Sequence, residues 1–242
     1  MSMQWPIGTG EDPVGTEPPE LSAGELDQER PWEAHSWLRA ETLAHLAEYN
    51  EECLKMLALQ YSVTPVAQMP PLVREAGPLL RMMDADARHR AAACPFLLFD
   101  AGFADQQRWT WVSGNYVQDL ARPTTPPYFT VQQTRPMLLA IFTYAWHLAR
   151  SQTAAARLLL GMTPHCSRLI SVCTVRQIHE LAEAHPEWLV PRWQNRTQFW
   201  RELLISAMKG DAAAMEQARL RGLQIMAAEN RARITRGPGG EC

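Results

Sequence analysis

Long apolar runs are missing from this chain. The longest, Met137 to Phe142, falls far short of the ~20 residues that a bilayer-spanning helix requires. No early stretch has the make-up of a secretory leader either, so a soluble, cytoplasmic protein with no membrane partner is expected. Lysine is nearly absent: Lys55 and Lys209 stand against 21 arginines. Genomic base composition explains that bias first, and the arginine count alone is no argument for phosphate binding. Cysteine is sparse, and Cys53, Cys94, Cys166, Cys173 and Cys242 are odd in number and widely spaced. A disulfide framework is therefore not expected. Four of the cysteines should pack as small hydrophobes, leaving Cys242, at the end of a glycine-rich tail, exposed.

The motifs of common catalytic classes are missing as well. There is no G-x-S-x-G, no phosphate-binding glycine loop and no G-x-G-x-x-G. His179-Glu180-Leu181-Ala182-Glu183 comes close to the H-E-x-x-H zinc helix, but Glu183 stands where the second histidine must be. His165, Cys166 and Cys173 lack a second close pair to complete a tetrahedral site. Asp84, Asp86 and His89 lie at helical spacing and could form an acid/base group, although carboxylates on a helix are ordinarily just solvated. The chain is thus expected to be no enzyme and to need no metal or cofactor.

What is present is a substantial apolar fraction, 46% of 242 residues, enough to build a real core. Net charge is −3, unevenly spread: residues 1–130 hold 9 Lys+Arg against 18 Asp+Glu, and residues 131–242 hold 14 against 8. An acidic front and a basic rear imply either contact between the halves or a basic surface for an acidic partner such as nucleic acid.

Residues 1–30 are acidic and rich in proline and glycine, and are expected to be disordered. A helical domain should occupy residues 31–121. Its first helix carries Leu43, Ala47, Leu54, Leu57 and Tyr61 on one stripe. Asn50 falls on that seam, as a register-setting polar residue or as a partly exposed one on an imperfect stripe. A second helix is expected to open at Gly77-Pro78 and end before Pro95, with Leu79, Leu80, Met83 and Ala87 inward. Phe96 to Phe99 is an apolar run too short for periodicity to assign, read as helix and loop. Trp109 and Trp111 are core anchors or an exposed aromatic surface. Residues 122–136, with Pro123, Pro126, Pro127 and Pro136, read as a linker, followed by a helical module over 137–236 and a flexible tail over 237–242.

Within that module the stretch Ala149 to Val190 breaks into three helical blocks. Gly161 can take the left-handed conformation that closes the first. Thr163-Pro164 caps and starts the second, and Thr174 caps the third, which Pro186 ends. Cys166, Leu169, Ile170 and Cys173 form the buried stripe of the second block, and Val175, Ile178, Leu181 and Ala182 that of the third. Met137 to Ala149, with Leu138, Ile141, Phe142 and Trp146, is apolar nearly all round, so either the front half or a second copy of the chain must cover it. Beyond the array, a helix over Arg192 to Met208 and another over Ala212 to Arg233 are expected. The fold class is therefore all-α: a multi-helix orthogonal bundle with a helix-turn-helix-like array in its C-terminal half.

The densest part of this region, LGMTPHCSRLISVCTVRQIHELAE, resembles FlhD, a subunit of the flagellar master regulator. The resemblance runs from about Arg135 to Leu204 and includes Leu148, Ala154, Ala156, Leu160, Gly161, Thr174, Gln177, Leu181, Ala182, Glu183, Leu189 and Val190. It implies an all-helical, dimeric module that joins a zinc-bearing partner, FlhC, to activate transcription. Pro191 stands where that family often has a cysteine able to link two copies, and about 130 residues in front have no counterpart.

The resulting expectation is a transcriptional regulator or co-regulator that forms a homodimer through Leu138, Ile141, Phe142 and Trp146. Arg176, Gln177, His179, Glu180, Arg192 and Arg196 would meet double-stranded DNA or a DNA-bound, FlhC-like protein partner. The alternative is a protein-interaction adaptor that never touches nucleic acid and works through its acidic front and exposed tryptophans.

Overall fold

The computed structural model describes residues 40–105, 108–109 and 126–235, with side chains of the last helix as far as Arg231. The N-terminal segment 1–30, Trp111, residues 122–125 of the expected linker, Arg236 and the tail with Cys242 lie outside the described residues. Among those described, the helices are α1 (Ala40–Val63), α2 (Pro71–Met82), α3 (Ala85–Ala92), α4 (Val131–Ser151), α5 (Thr153–Leu160), α6 (Pro164–Val172), α7 (Val175–Ala184), α8 (Thr197–Lys209) and α9 (Ala212–Thr235). The one ribbon pairs β1 (Phe99–Asp100) antiparallel with β2 (Val190–Pro191), Phe99 opposite Pro191 and Asp100 opposite Val190. The all-α class expected from the sequence holds.

Helix α1 packs on α2 and α3, and these in turn rest on α8, so the C-terminal half supplies part of the floor under the front helices. The array α5–α7 gathers around α4. Between these two groups runs the segment 96–99, whose Phe96, Leu97, Leu98 and Phe99 are all 0% exposed. That apolar run is neither helix nor a full strand. Irregular backbone inside a core needs partners for its amide and carbonyl groups, and Asn50 provides them: its Nδ2 donates to the carbonyls of Ala92 and Phe96, and its Oδ1 accepts from the N–H of Leu98. Asn50 is 0% exposed. It fixes a neighbouring segment, and it is not the partly exposed residue of an imperfect stripe.

Local chemistry accounts for the helix ends. The second helix begins at Pro71, the favoured first position, and runs through Gly77-Pro78 where a start was expected. Gly77 is there for close approach: a Cβ would lie 2.2 Å from the Tyr61 ring. A break at Met83-Asp84 was not foreseen; the Asp84 carboxylate accepts from the N–H of Ala87 and starts α3. Residues 131–136, expected in the linker, form the first turns of α4, and Pro136 lies inside that helix.

The array follows its punctuation closely. Gly161, at φ 69°, closes α5 in the left-handed region, where a side chain would be strained. The Thr163 hydroxyl accepts from the N–H of Cys166, and Thr174 and Gln177 form a reciprocal capping box on α7.

Candidate docking surface

The buried face of α4 decides where a partner can sit. Leu138, Ile141 and Phe142 are each 0% exposed within one chain. Phe142 meets Phe103, Trp109 and Trp188 with ring centroids 5.9, 5.9 and 6.2 Å apart. These three residues are therefore not a surface for a second copy, because aromatic residues before and after the array already cover them. Trp109, at 0% exposed, is a core anchor. Of the expected self-association set only Trp146 reaches the surface, half-buried on the outer side of α4.

Trp146 marks the place where the array turns outward. Its indole N–H donates to the carbonyl of Cys173 at 2.8 Å, which ties α4 to the α6–α7 turn and gives a partner to a carbonyl at the end of α6. The guanidinium of Arg150, one turn further along α4, lies 4.7 Å from the Trp146 ring centroid, within cation–π range. On either side of the turn Val172 is 77% and Val175 is 68% exposed. The expectation that Val175 belongs to the buried face of α7 is corrected: it keeps the period of Ile178 and Leu181 but stands at the first helical position, past the neighbours that cover the rest. Arg168, one turn before Val172, is exposed, as are Arg176 and His179 after Val175. Val172 and Val175 flank the turn that Trp146 bonds, an exposed apolar tip, and an arginine adjoins each of the three in its own helix: Arg150 over Trp146, Arg168 one turn before Val172 and Arg176 next to Val175.

The polar residues expected to read DNA are placed less favourably. Gln177 spends its side-chain oxygen on the N–H of Thr174 at 2.6 Å. Arg176 donates through Nε to Glu180 at 2.7 Å, a hydrogen bond that raises the guanidinium pKa further above its ordinary value. Glu183, further along the helix, pairs with Arg135 at 3.2 Å. His179 remains exposed on the outer side.

Arg192 and Arg196 do not join this group. Arg192 is 7% exposed and donates to the carbonyls of Phe99 and Leu160 at 3.3 and 2.7 Å, while its own N–H donates to the carbonyl of Leu98. It is a buried cation at the C-terminal end of α5, where the helix dipole favours positive charge, so its expected role in partner binding is corrected to fastening the ribbon to the array. The close contact extends to Gly161, where a Cβ would meet the Arg192 guanidinium at 2.6 Å. Arg196 stands at the N-cap position of α8 without a side-chain capping bond and is exposed. Both line a polar cleft of about 250 Å³ with Asp100, Trp193 and Glu229. Trp193 takes a left-handed φ of 54° there and donates its indole N–H to Glu229 at 3.1 Å.

Among the described residues no cluster of three or more His, Cys, Asp or Glu could hold a metal ion. No described helix is long and apolar enough to cross a membrane. No family model, curated protein or solved structure matches the chain.

The residues that sequence reasoning missed at this surface are Val172, Val175 as an exposed residue, Arg150 and Arg168. A signal was available: both valines adjoin the turn at Cys173-Thr174, and residues at helix tips often escape the cover that periodicity assigns to a stripe.

Proposed function

We propose that the chain is a cytoplasmic regulatory adaptor, a transcriptional co-regulator of the FlhD-like kind, that docks a protein partner on the α6–α7 corner and meets DNA through that partner. The observation that carries this reading is the pairing of an uncovered apolar tip, Val172 and Val175, with polar neighbours already engaged in the capping box and the Arg176–Glu180 pair. Surfaces that bind proteins centre on aromatic and arginine anchors with apolar contacts, and Trp146 with Arg150 supplies that combination. Reading base edges asks for free arginine, glutamine or asparagine groups, and α7 offers few. A homodimer belongs to the proposal only through a face that leaves α4 buried, and light scattering of the purified chain tests it.

Direct DNA contact is a second reading, favoured by Arg157 and Arg168, which are exposed and have no ion-pair partner among the described residues. An affinity pull-down of the full chain from its native cell, with and without nuclease, separates the two. The adaptor reading expects a partner that survives nuclease and is lost from Val172→Asp/Val175→Asp. A partner released by nuclease and retained by that variant would overturn it in favour of DNA.

A further inference from the structure

We infer, building on the adaptor reading, that the segment seated on the α6–α7 corner is acidic and amphipathic, presenting apolar side chains to Val172, Val175 and Trp146 and carboxylates to Arg150, Arg168 and Arg176. The argument is charge complementarity around a defined apolar centre. Each of the three helices that meet at the tip contributes an exposed arginine: Arg150 of α4, Arg168 of α6 and Arg176 of α7. Glu180, one turn further along α7, pairs with the Arg176 Nε, which leaves the rest of that guanidinium fork to meet an incoming oxygen. Arg150 has no ion-pair partner among the described residues, and its guanidinium is held over the Trp146 ring. An arginine held in this way loses less freedom when it takes up a carboxylate than one on a free stem.

The size of the tip limits what can dock. Two valines and one edge of an indole fit one or two apolar anchors of a single helix or short segment, and a broad flat interface would need more. A basic partner would bring like charges against three arginines. Duplex DNA would satisfy the arginines but leave Val172 and Val175 facing a charged backbone, where their burial gains little.

The test uses the full chain and two synthetic helical peptides with the same leucine and phenylalanine face, one flanked by glutamates and the other by lysines. A mixed-sequence DNA duplex serves as the third probe, and binding is read by fluorescence anisotropy at about 0.15 M salt. The glutamate peptide is expected to bind at least about tenfold more tightly than the lysine peptide, and to lose about tenfold on Arg150→Glu/Arg168→Glu and on Val172→Asp/Val175→Asp. All four positions are exposed, so both variants should keep the wild-type circular dichroism spectrum and melting midpoint. Equal binding of the two peptides, binding of neither, or a duplex that competes for the corner would overturn the inference. If the pull-down partner still requires Val172 and Val175 while the glutamate peptide shows no preference, the adaptor reading stands and the acidic partner is wrong.

Discussion

The N–H of Leu98 donates to Asn50 Oδ1 at 2.7 Å, across 48 residues of sequence, while Asn50 Nδ2 donates to the carbonyls of Phe96 in the same segment and of Ala92 at the end of α3. One fully buried side chain thereby satisfies three backbone groups. Asn50→Leu keeps the apolar bulk and removes all three bonds, so it should lower unfolding stability by about 3 kcal/mol, since each buried polar group left unpaired costs roughly 1–3 kcal/mol. Asn50→Asp should be worse, because a carboxylate would face two carbonyl oxygens. Urea unfolding followed by circular dichroism checks this, and a loss under about 1 kcal/mol in either variant would mean that the segment finds other partners.

Gly222 offers a test in which two effects oppose each other. In a helix interior Gly→Ala ordinarily stabilises by about 1 kcal/mol. Here a Cβ would meet the Phe96 ring at 2.2 Å, and Phe96 is fully buried. Overpacking of that kind costs typically 1–3 kcal/mol, so Gly222→Ala should be net destabilising and Phe96→Leu in the same chain should recover part of the loss. A raised melting midpoint in the single variant would show that α9 is not held against Phe96.

Cys53, Cys94 and Cys166 should be inert in the native chain. Burial pushes the Cys53 and Cys166 thiols well above their ordinary value and the Cys94 thiol up to about 12. The thiolate is the reactive species, so iodoacetamide at mildly alkaline pH should leave these three unmodified until urea is added. Peptide mapping gives the readout, and native-state labelling of Cys166 would contradict the packing of α6.

Glu202 gives a small dependence on pH. A hydrogen bond from Gln198, and then the Arg221 guanidinium, hold its carboxyl below the usual carboxylate range. A depressed folded-state pKa contributes stability that is present above the unfolded value and is lost as pH falls through the folded one. Glu202 is partly exposed, so Glu202→Gln should cost only about 0.5 kcal/mol at neutral pH. That cost should vanish under acid conditions, as melting curves at both pH values would show.

The array was legible because its boundaries are written in residues with local consequences. Gly161, Thr163, Pro164 and Thr174 act within a turn of where they stand, and each did what its chemistry implies. The cover on α4 was not legible. Nothing local to Phe142 says that Phe103, Trp109 and Trp188 will enclose it, and an all-round apolar helix looks the same whether its own chain or another buries it. Asn50 misled for the same reason: its partners lie more than forty residues away. The exposure of Val175 was hidden by the helical period itself, which groups it with Ile178 although only the latter is buried.

The packing of α8 under α2 and α3 carries a consequence for biosynthesis. Arg90 donates to the carbonyl of Ala207, 117 residues further along, so the front helices emerge from the ribosome long before the element that covers them. At translation rates of roughly 5–20 residues per second, the gap is on the order of ten seconds. Throughout that time α2 has α1 beside it but lacks α8, the other helix it packs against in the finished fold. A chain stopped short of α8 leaves the side of α2 and α3 that meets that helix uncovered, and is expected to be cleaved faster by protease than the full chain in a limited-proteolysis comparison.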